Sequence, residues 1–356
     1  MKFLHMADMH FDAPFSTLAT KNNLGDIRRL EQRNTFRKII EYIKEKQIDY
    51  LFIAGDLYEE KDLRKSTIEF INNEFSKIPN TKIFIVPGNH DPYIKNSNYE
   101  KFDFCENVYI FKEKIDVYED ENIRIYGVGF TDFYMNENPL KDLKIEKDLK
   151  TTILISHCDI NGVKDKNGFS YNPILLSKLK ELDFDYAALG HIHNIEFNPD
   201  EKIAYSGSVI SLGFDELGAH GVIVGEFING KLKTEFLPID DRIFTEYELN
   251  VENYTSNEEI IEKINDLNFN EKESVKIILT GNKNFDIDTK KIVGLIVNDS
   301  VIKIKDKTRV NVDIEKLVNE NSLKGLFIRE VIEKYNNNEI DEEDVEKIIQ
   351  IGIDAM

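Results

Sequence analysis

Asp8 and His10 stand two residues apart, His191 and His193 repeat that spacing, and Asp56, Asn89 and His157 fall between the two pairs. Residues two apart in an extended chain turn their side chains to the same side. Two carboxylates, one amide and four imidazoles make seven donors, more than the four that a single zinc ion takes. They suit two five- or six-coordinate ions of the Mn²⁺ or Fe²⁺ type, bridged by one carboxylate. Asp56, the lone carboxylate of the middle run, is the natural bridge. Paired ions roughly 3.5–4 Å apart clamp the attacking and leaving oxygens of an in-line displacement at phosphorus. The chemistry expected is therefore hydrolysis of a phosphoester by metal-bound hydroxide. His90 is one imidazole more than the ions need, and is expected to stabilise the transition state or protonate the leaving alkoxide. Asp91 beside it is expected to orient it.

Each candidate closes a short apolar run. The runs read KFLHMADMH, YLFIAGD, KIFIVPGNHD, TTILISH and YAALGHIH. In an α/β fold, ligands gather outside the carboxyl ends of the strands, so five such ends predict one polar cluster at a sheet edge. Gly55, Gly88 and Gly190 adjoin the candidates, where the backbone must turn with little bulk. Between the runs, apolar spacing predicts helices over Arg28–Lys46, Ser66–Lys77 (capped by Ser66, with Glu69 three residues on) and Asn172–Leu182 (Pro173 in its first turn). Residues 108–130 read as short strands, and Asn229-Gly230 as a hairpin turn. His5 is expected in the core and His220 in a turn.

With 356 residues, 41% hydrophobic and 31% charged, the chain has the composition of a soluble globular protein. No apolar stretch is long enough to span a bilayer, and Asp8 interrupts the opening run, against a signal peptide. Two cysteines, Cys105 and Cys158, fit a reducing, cytoplasmic compartment. The formal charge of −20 counts against non-specific nucleic-acid affinity. Two divalent ions would offset it where a phosphate must sit. Residues 20–46, with eight bases against four acids, read either as a solvated helix face or as a phosphate track.

The organisation expected is three-part: a catalytic domain over 1–240, a small α+β domain over 241–310 with β-α-β-α-β order, and a helical tail over 311–356. The tail repeats apolar residues at helical spacing and carries twelve acids against five bases. It either folds back on its own domain or docks a partner.

The set Asp8-x-His10, Gly55-Asp56, Gly88-Asn89-His90-Asp91, His157 and Gly190-His191-x-His193 resembles the signature of the calcineurin-like metallophosphoesterases, across residues 1 to about 240. That resemblance implies an α/β fold of two mixed sheets packed face to face with helices outside. It assigns Asp8, His10, Asp56 and His193 to one ion, and Asp56, Asn89, His157 and His191 to the other. The opening FLHMADMHFDAPFSTL and the stretch YSGSVISLGFDELGAHGVIVGEF are similar to DNA-repair exonucleases of the SbcD and YhaO type. This branch implies a capping domain, a helical tail that binds an SbcC-like coiled-coil ATPase, and pairing of two nuclease chains as a homodimer. It implies Mn²⁺-dependent exonuclease or endonuclease activity on DNA in repair, with His90 at the leaving group. The alternative is a small-nucleotide phosphodiesterase or phosphatase, which the acidic charge favours.

Overall fold

The computed structural model describes residues 1–15, 24–145, 148–160, 162, 168, 170–310 and 314–356. Lys21, residues 16–18 of the opening motif and the 311–313 junction lie outside these. The chain divides into two compact units, Met1–Phe244 and Thr245–Met356.

In the first unit the elements run β1 (Lys2–Met6), α1 (Leu24–Lys46), β2 (Tyr50–Ala54), α2 (Lys65–Phe75), β3 (Lys82–Val86), α3 (Asn98–Lys101), β4 (Val108–Ile110), β5 (Asp116–Glu119) and β6 (Ile123–Val128). They continue through β7 (Thr151–His157), β8 (Asp159–Ile160), β9 (Pro173–Ile174), α4 (Leu176–Leu182), β10 (Tyr186–Gly190), β11 (Ile203–Tyr205), β12 (Gly221–Ile228) and β13 (Lys231–Pro238). A six-stranded sheet has the order β13-β12-β1-β2-β3-β4, and a five-stranded sheet β11-β10-β7-β6-β5. Both are mixed: β1 to β4 are parallel with β12 antiparallel to β1, and β6, β7, β10 and β11 are parallel with β5 antiparallel to β6. Phe3, Phe52 and Phe84 of one sheet share a core with Ile125, Ile153 and Tyr186 of the other. The alternate residues Leu4, Leu51, Ile53 and Ile83 are equally buried. Strands covered on both faces read as continuous apolar runs, which is why the five runs are visible in the sequence.

The helices differ from expectation at their starts. α2 is preceded by Arg64, with no side-chain cap, so Ser66 lies inside the helix and forms no capping box. α4 begins only at Leu176, because Asn172 takes a positive φ of 53° and Pro173-Ile174 pairs with Asp159-Ile160 as a short strand. Asn229 and Gly230 both have positive φ, the geometry of a two-residue hairpin turn. Several bases of α1 are engaged within the first unit. Arg28 is fully buried on Asp240 (2.9 Å) and Glu31 (2.6 Å), Arg33 donates to Thr67 Oγ1, Arg37 meets Glu74, and Lys38 meets Asp241. These bases serve internal partners.

The second unit runs β14 (Ile243–Asn250, beginning at the boundary), α5 (Asn257–Asn265), β15 (Glu273–Thr280), β16 (Asn282–Lys283), α6 (Thr289–Leu295), β17 (Val301–Asp306), β18 (Arg309–Val310), α7 (Ile314–Val318), α8 (Leu323–Asn336) and α9 (Glu342–Asp354). A three-stranded sheet in the order β14-β15-β17 packs Leu249, Val275 and Ile277 against Ile260 of α5 and Ile292 of α6. The last three helices bury Ile328, Val331, Ile349 and Ile353 together, with Val310 partly buried against them. No helix among the described residues is long and apolar enough to cross a membrane.

Candidate metal centre

The parallel strands β1, β2, β3, β7 and β10 all end at one rim, and the sequence candidates lie on or just beyond those ends. The chain turns sharply there. Asp8, His10 and Asp56 take φ of about 50°, and His191 takes 99°. Left-handed backbone at non-glycine residues is uncommon and concentrates at functional sites. Two glycines make the approach close enough. A Cβ on Gly88 would fall 2.2 Å from Asp56 Oδ1, and one on Gly190 would fall 2.0 Å from the Ala54 carbonyl.

The side chains converge. His10 Nε2 and His193 Nε2 are 3.2 Å apart, 4.0 and 3.9 Å from Asp8 Oδ1. His157 Nε2 is 3.2 Å from Asp56 Oδ2 and 2.9 Å from Asn89 Oδ1. His10 Nε2 lies 3.7 Å from the same Asp56 oxygen, so Asp56 faces both groups. Asp8 also lies 4.0 Å from His157, but from Nδ1, which the Ala54 carbonyl holds at 2.9 Å. His191 is placed less tightly. Its backbone N–H donates to Asp8 at 3.0 Å, and its ring centroid is 5.2 Å from that of His157 and 5.1 Å from that of Tyr171.

Three imidazoles are oriented from behind. Nδ1 of His10 meets Glu59 Oε1 at 2.7 Å, Nδ1 of His193 meets Glu216 Oε1 at 2.6 Å, and Nδ1 of His157 meets the Ala54 carbonyl. Each bond presents Nε2 to the centre, the arrangement that orients histidine ligands for metal. Asp8 and Asp56 are buried, and two facing imidazole nitrogens with engaged Nδ1 atoms need a proton or a cation between them. The donor set therefore fits divalent ions.

Nothing in the sequence marks out Glu59 and Glu216. Glu59 does more than hold His10: its Oε2 is 2.8 Å from His90 Nδ1. Asp91, expected in that role, is fully buried and accepts from the N–H groups of Gly88 (2.6 Å), Leu57 (2.7 Å) and Asp56 (3.1 Å) and from the Tyr99 hydroxyl (2.7 Å). It pins the Asp56 and Gly88 turns together, and the carboxylate on His90 is Glu59. The His90 backbone N–H donates to Asp56 Oδ1 at 2.8 Å, and its side chain is 45% exposed. Its ring borders a cleft of about 300 Å³ with Lys61, Asn89, Phe133, Tyr134 and Tyr171. His5 is buried on the Tyr186 hydroxyl (2.9 Å) and the Leu189 carbonyl. His220 is buried on Ser208.

Burial works against charge on His157, but Asp56 and then Asp8 outweigh it and raise the ring to about 9. Burial likewise opposes His193, and the Glu216 bond with Asp8 raises it to about 9. Burial, with His157 next, lowers His191 to about 3. Metal ligation needs neutral imidazole, so both raised rings must release protons when an ion binds. Mn²⁺ affinity should therefore rise with pH up to about 9, with close to two protons released per chain loaded at neutral pH. Calorimetry in buffers of different ionisation enthalpy measures that release. Affinity independent of pH would contradict the assignment of these two rings.

The model of the calcineurin-like phosphoesterase family matches residues 1–194. The SbcD component of the SbcCD nuclease of Staphylococcus epidermidis is 28% identical over 275 residues, 67% of this chain and 70% of that protein. The uncharacterized metallophosphoesterase YhaO of Bacillus subtilis is 26% identical over 251 residues, 66% of this chain and 60% of that one. A dimetal phosphatase from Danio rerio covers 66% of this chain and 95% of its own at 10% identity and a TM-score of 0.39, a likeness too distant to inform the site.

Proposed function

From a chain that belongs to the calcineurin-like phosphoesterases, a metal-dependent hydrolase family, we propose a two-metal phosphodiesterase that cleaves DNA. The observation that carries the reading is the convergence of Asp8, His10, Asp56, Asn89, His157 and His193 from five strand ends, with Asp56 facing both groups. The likeness to a component of the SbcCD nuclease supports DNA as the substrate. Asp8, His10, Asp56 and His193 would hold one ion, and Asp56, Asn89, His157 and His191 the other. Two divalent ions held there, Mn²⁺ by the mixed oxygen and imidazole donor set, would supply Lewis acidity at phosphorus and lower the pKa of water.

The protein's own groups do the rest. Glu59 holds His90 by Nδ1 and so leaves Nε2 to give its proton to the leaving oxygen. Glu59 and Glu216 fix the His10 and His193 rings. Asp91 locks the turns that carry Asp56 and Asn89. Phe133, Tyr134 and Tyr171 offer aromatic faces beside His90 on which a base could stack.

The test is Mn²⁺-dependent hydrolysis of end-labelled duplex DNA beside bis(p-nitrophenyl) phosphate. Degradation of the duplex is expected. Cleavage of the small diester alone would move the substrate to a small nucleotide, the reading that the charge of −20 favours.

The tail is proposed to dock a coiled-coil ATPase of the SbcC kind. Leu323, Leu326 and Ile351 remain well exposed although the helices share a small core. Deletion of residues 314–356 should abolish co-purification with such an ATPase while hydrolysis of the small diester persists. Retained binding would place the contact elsewhere.

A further inference from the structure

The metal centre and His90 account for a scissile phosphate but leave the cleft beside them without a role. That cleft of about 300 Å³ has, among the described residues, one lysine or arginine on its border, Lys61, and one carboxylate, Glu59. Both oxygens of Glu59 are engaged, Oε1 on His10 Nδ1 at 2.7 Å and Oε2 on His90 Nδ1 at 2.8 Å. The exposed Lys61 ammonium lies instead over the ring of Phe133, 5.3 Å from its centroid. A cation–π contact at an exposed site is weak enough to yield to an anion.

The backbone that carries Lys61 is tied down on both sides. Glu59 N–H donates to the Phe11 carbonyl and Glu60 N–H to the His90 carbonyl, both at 3.0 Å, and Asp62 N–H donates to the Glu59 carbonyl at 3.1 Å. The Glu60 carboxylate accepts from the backbone N–H and the side-chain amide of Asn98, each at 3.0 Å. One of these bonds runs to His90 itself, so the turn that displays Lys61 is held in register with the proposed acid. A substrate whose leaving oxygen meets His90 Nε2 departs into this cleft. With the scissile phosphate at the metal centre, Lys61 stands on the side where the next anion of a nucleotide chain falls, the phosphate beyond the leaving nucleoside. Lysine suits it, as a point charge on a flexible four-carbon stem.

We infer that Lys61 binds the phosphate that flanks the scissile one on the leaving-group side, and so makes the centre prefer nucleotide chains over isolated diesters. The inference rests on the diesterase reading, with His90 at the leaving oxygen. The test measures kcat/KM of the full chain with Mn²⁺ on three thymidine dinucleotides: TpT, with no flanking phosphate, pTpT, with one on the 5′ side, and TpTp, with one on the 3′ side. The wild type should cleave one of the two phosphorylated dinucleotides about tenfold better than TpT, which of them being set by the oxygen that leaves. Lys61→Gln should bring that ratio near one, and Lys61→Arg, which keeps the charge, should hold most of it. The ratio is taken within each protein, so a general loss of activity cancels. A preference that survives in Lys61→Gln would overturn the assignment and leave Lys61 as a cover for Phe133. A wild type that cleaves bis(p-nitrophenyl) phosphate but treats the three dinucleotides alike, or cleaves none of them, would overturn the subsite while the diesterase reading stands. A wild type that cleaves no diester would overturn both.

Discussion

Asp56→Ala is expected to lower Mn²⁺-dependent hydrolysis of bis(p-nitrophenyl) phosphate by about a thousandfold or more and to reduce the bound metal below two ions per chain. Asp56 is buried, with Oδ2 at 3.2 Å from His157 Nε2 and 3.7 Å from His10 Nε2. Among the described residues, no other carboxylate reaches ring nitrogens of both groups that are still open to an ion, since Asp8 approaches His157 only through the nitrogen held by Ala54. Loss of the shared carboxylate removes a ligand from both ion positions, and about 4 kcal/mol of lost transition-state stabilisation corresponds to roughly a thousandfold in rate. The substitution also leaves His157 without the carboxylate that most raises its proton affinity. Its ring in the metal-free variant should titrate well below about 9, which NMR can follow. More than a tenth of wild-type activity in Asp56→Ala would show that the bridge is misassigned.

His90→Ala should lower kcat by about 10²–10⁴ while two Mn²⁺ still bind, because proton transfer by a positioned side chain contributes about that much. Its companion, Glu59→Gln, separates positioning from chemistry. Burial disfavours charge on His90, but the Glu59 bond, followed by the Asp56 and Glu59 charges, raises its proton affinity above the ordinary value. Replacing Glu59 with a neutral amide removes that support, so His90 loses its proton at lower pH. A group that works as an acid must be protonated, so the alkaline fall of kcat should move to lower pH in Glu59→Gln. The measurement needs saturating Mn²⁺, because Glu59 also holds His10 and its loss weakens metal binding. An alkaline limb that stays in place would mean that His90 is not the acid, or that Glu59 does not tune it.

Most of the centre is legible in the sequence because its ligands follow strands buried on both faces. Such strands leave unbroken apolar runs, and the polar residue that stops each run is the one at the rim. The supporting carboxylates leave no such mark. Glu59 comes three residues after Asp56, and only the left-handed turn at Asp56 brings it back onto His10 and His90. Glu216 reaches His193 from 23 residues away, beyond strand β11, where it also binds the Ser208 hydroxyl and the Leu212 N–H. Asp91 shows the opposite error. Adjacency suggests a pair with His90, yet the chain directs the two side chains apart, and the acid satisfies three backbone donors instead. The start of α4 departs from expectation for a similar reason. Pro173 is a good first-turn residue, but the positive φ at Asn172 and the pairing with Asp159-Ile160 claim that stretch first. The bases of α1 show that charge counts alone do not reveal partners: Arg28 meets Asp240, 212 residues away.

The most direct measurement is calorimetric titration of the metal-stripped protein with Mn²⁺, on wild type and on Asp56→Ala. The account predicts two ions per wild-type chain and fewer in the variant, with hydrolysis rising only as the second site fills. One ion or none in the wild type, or full activity at one ion per chain, would contradict a two-metal centre bridged by Asp56.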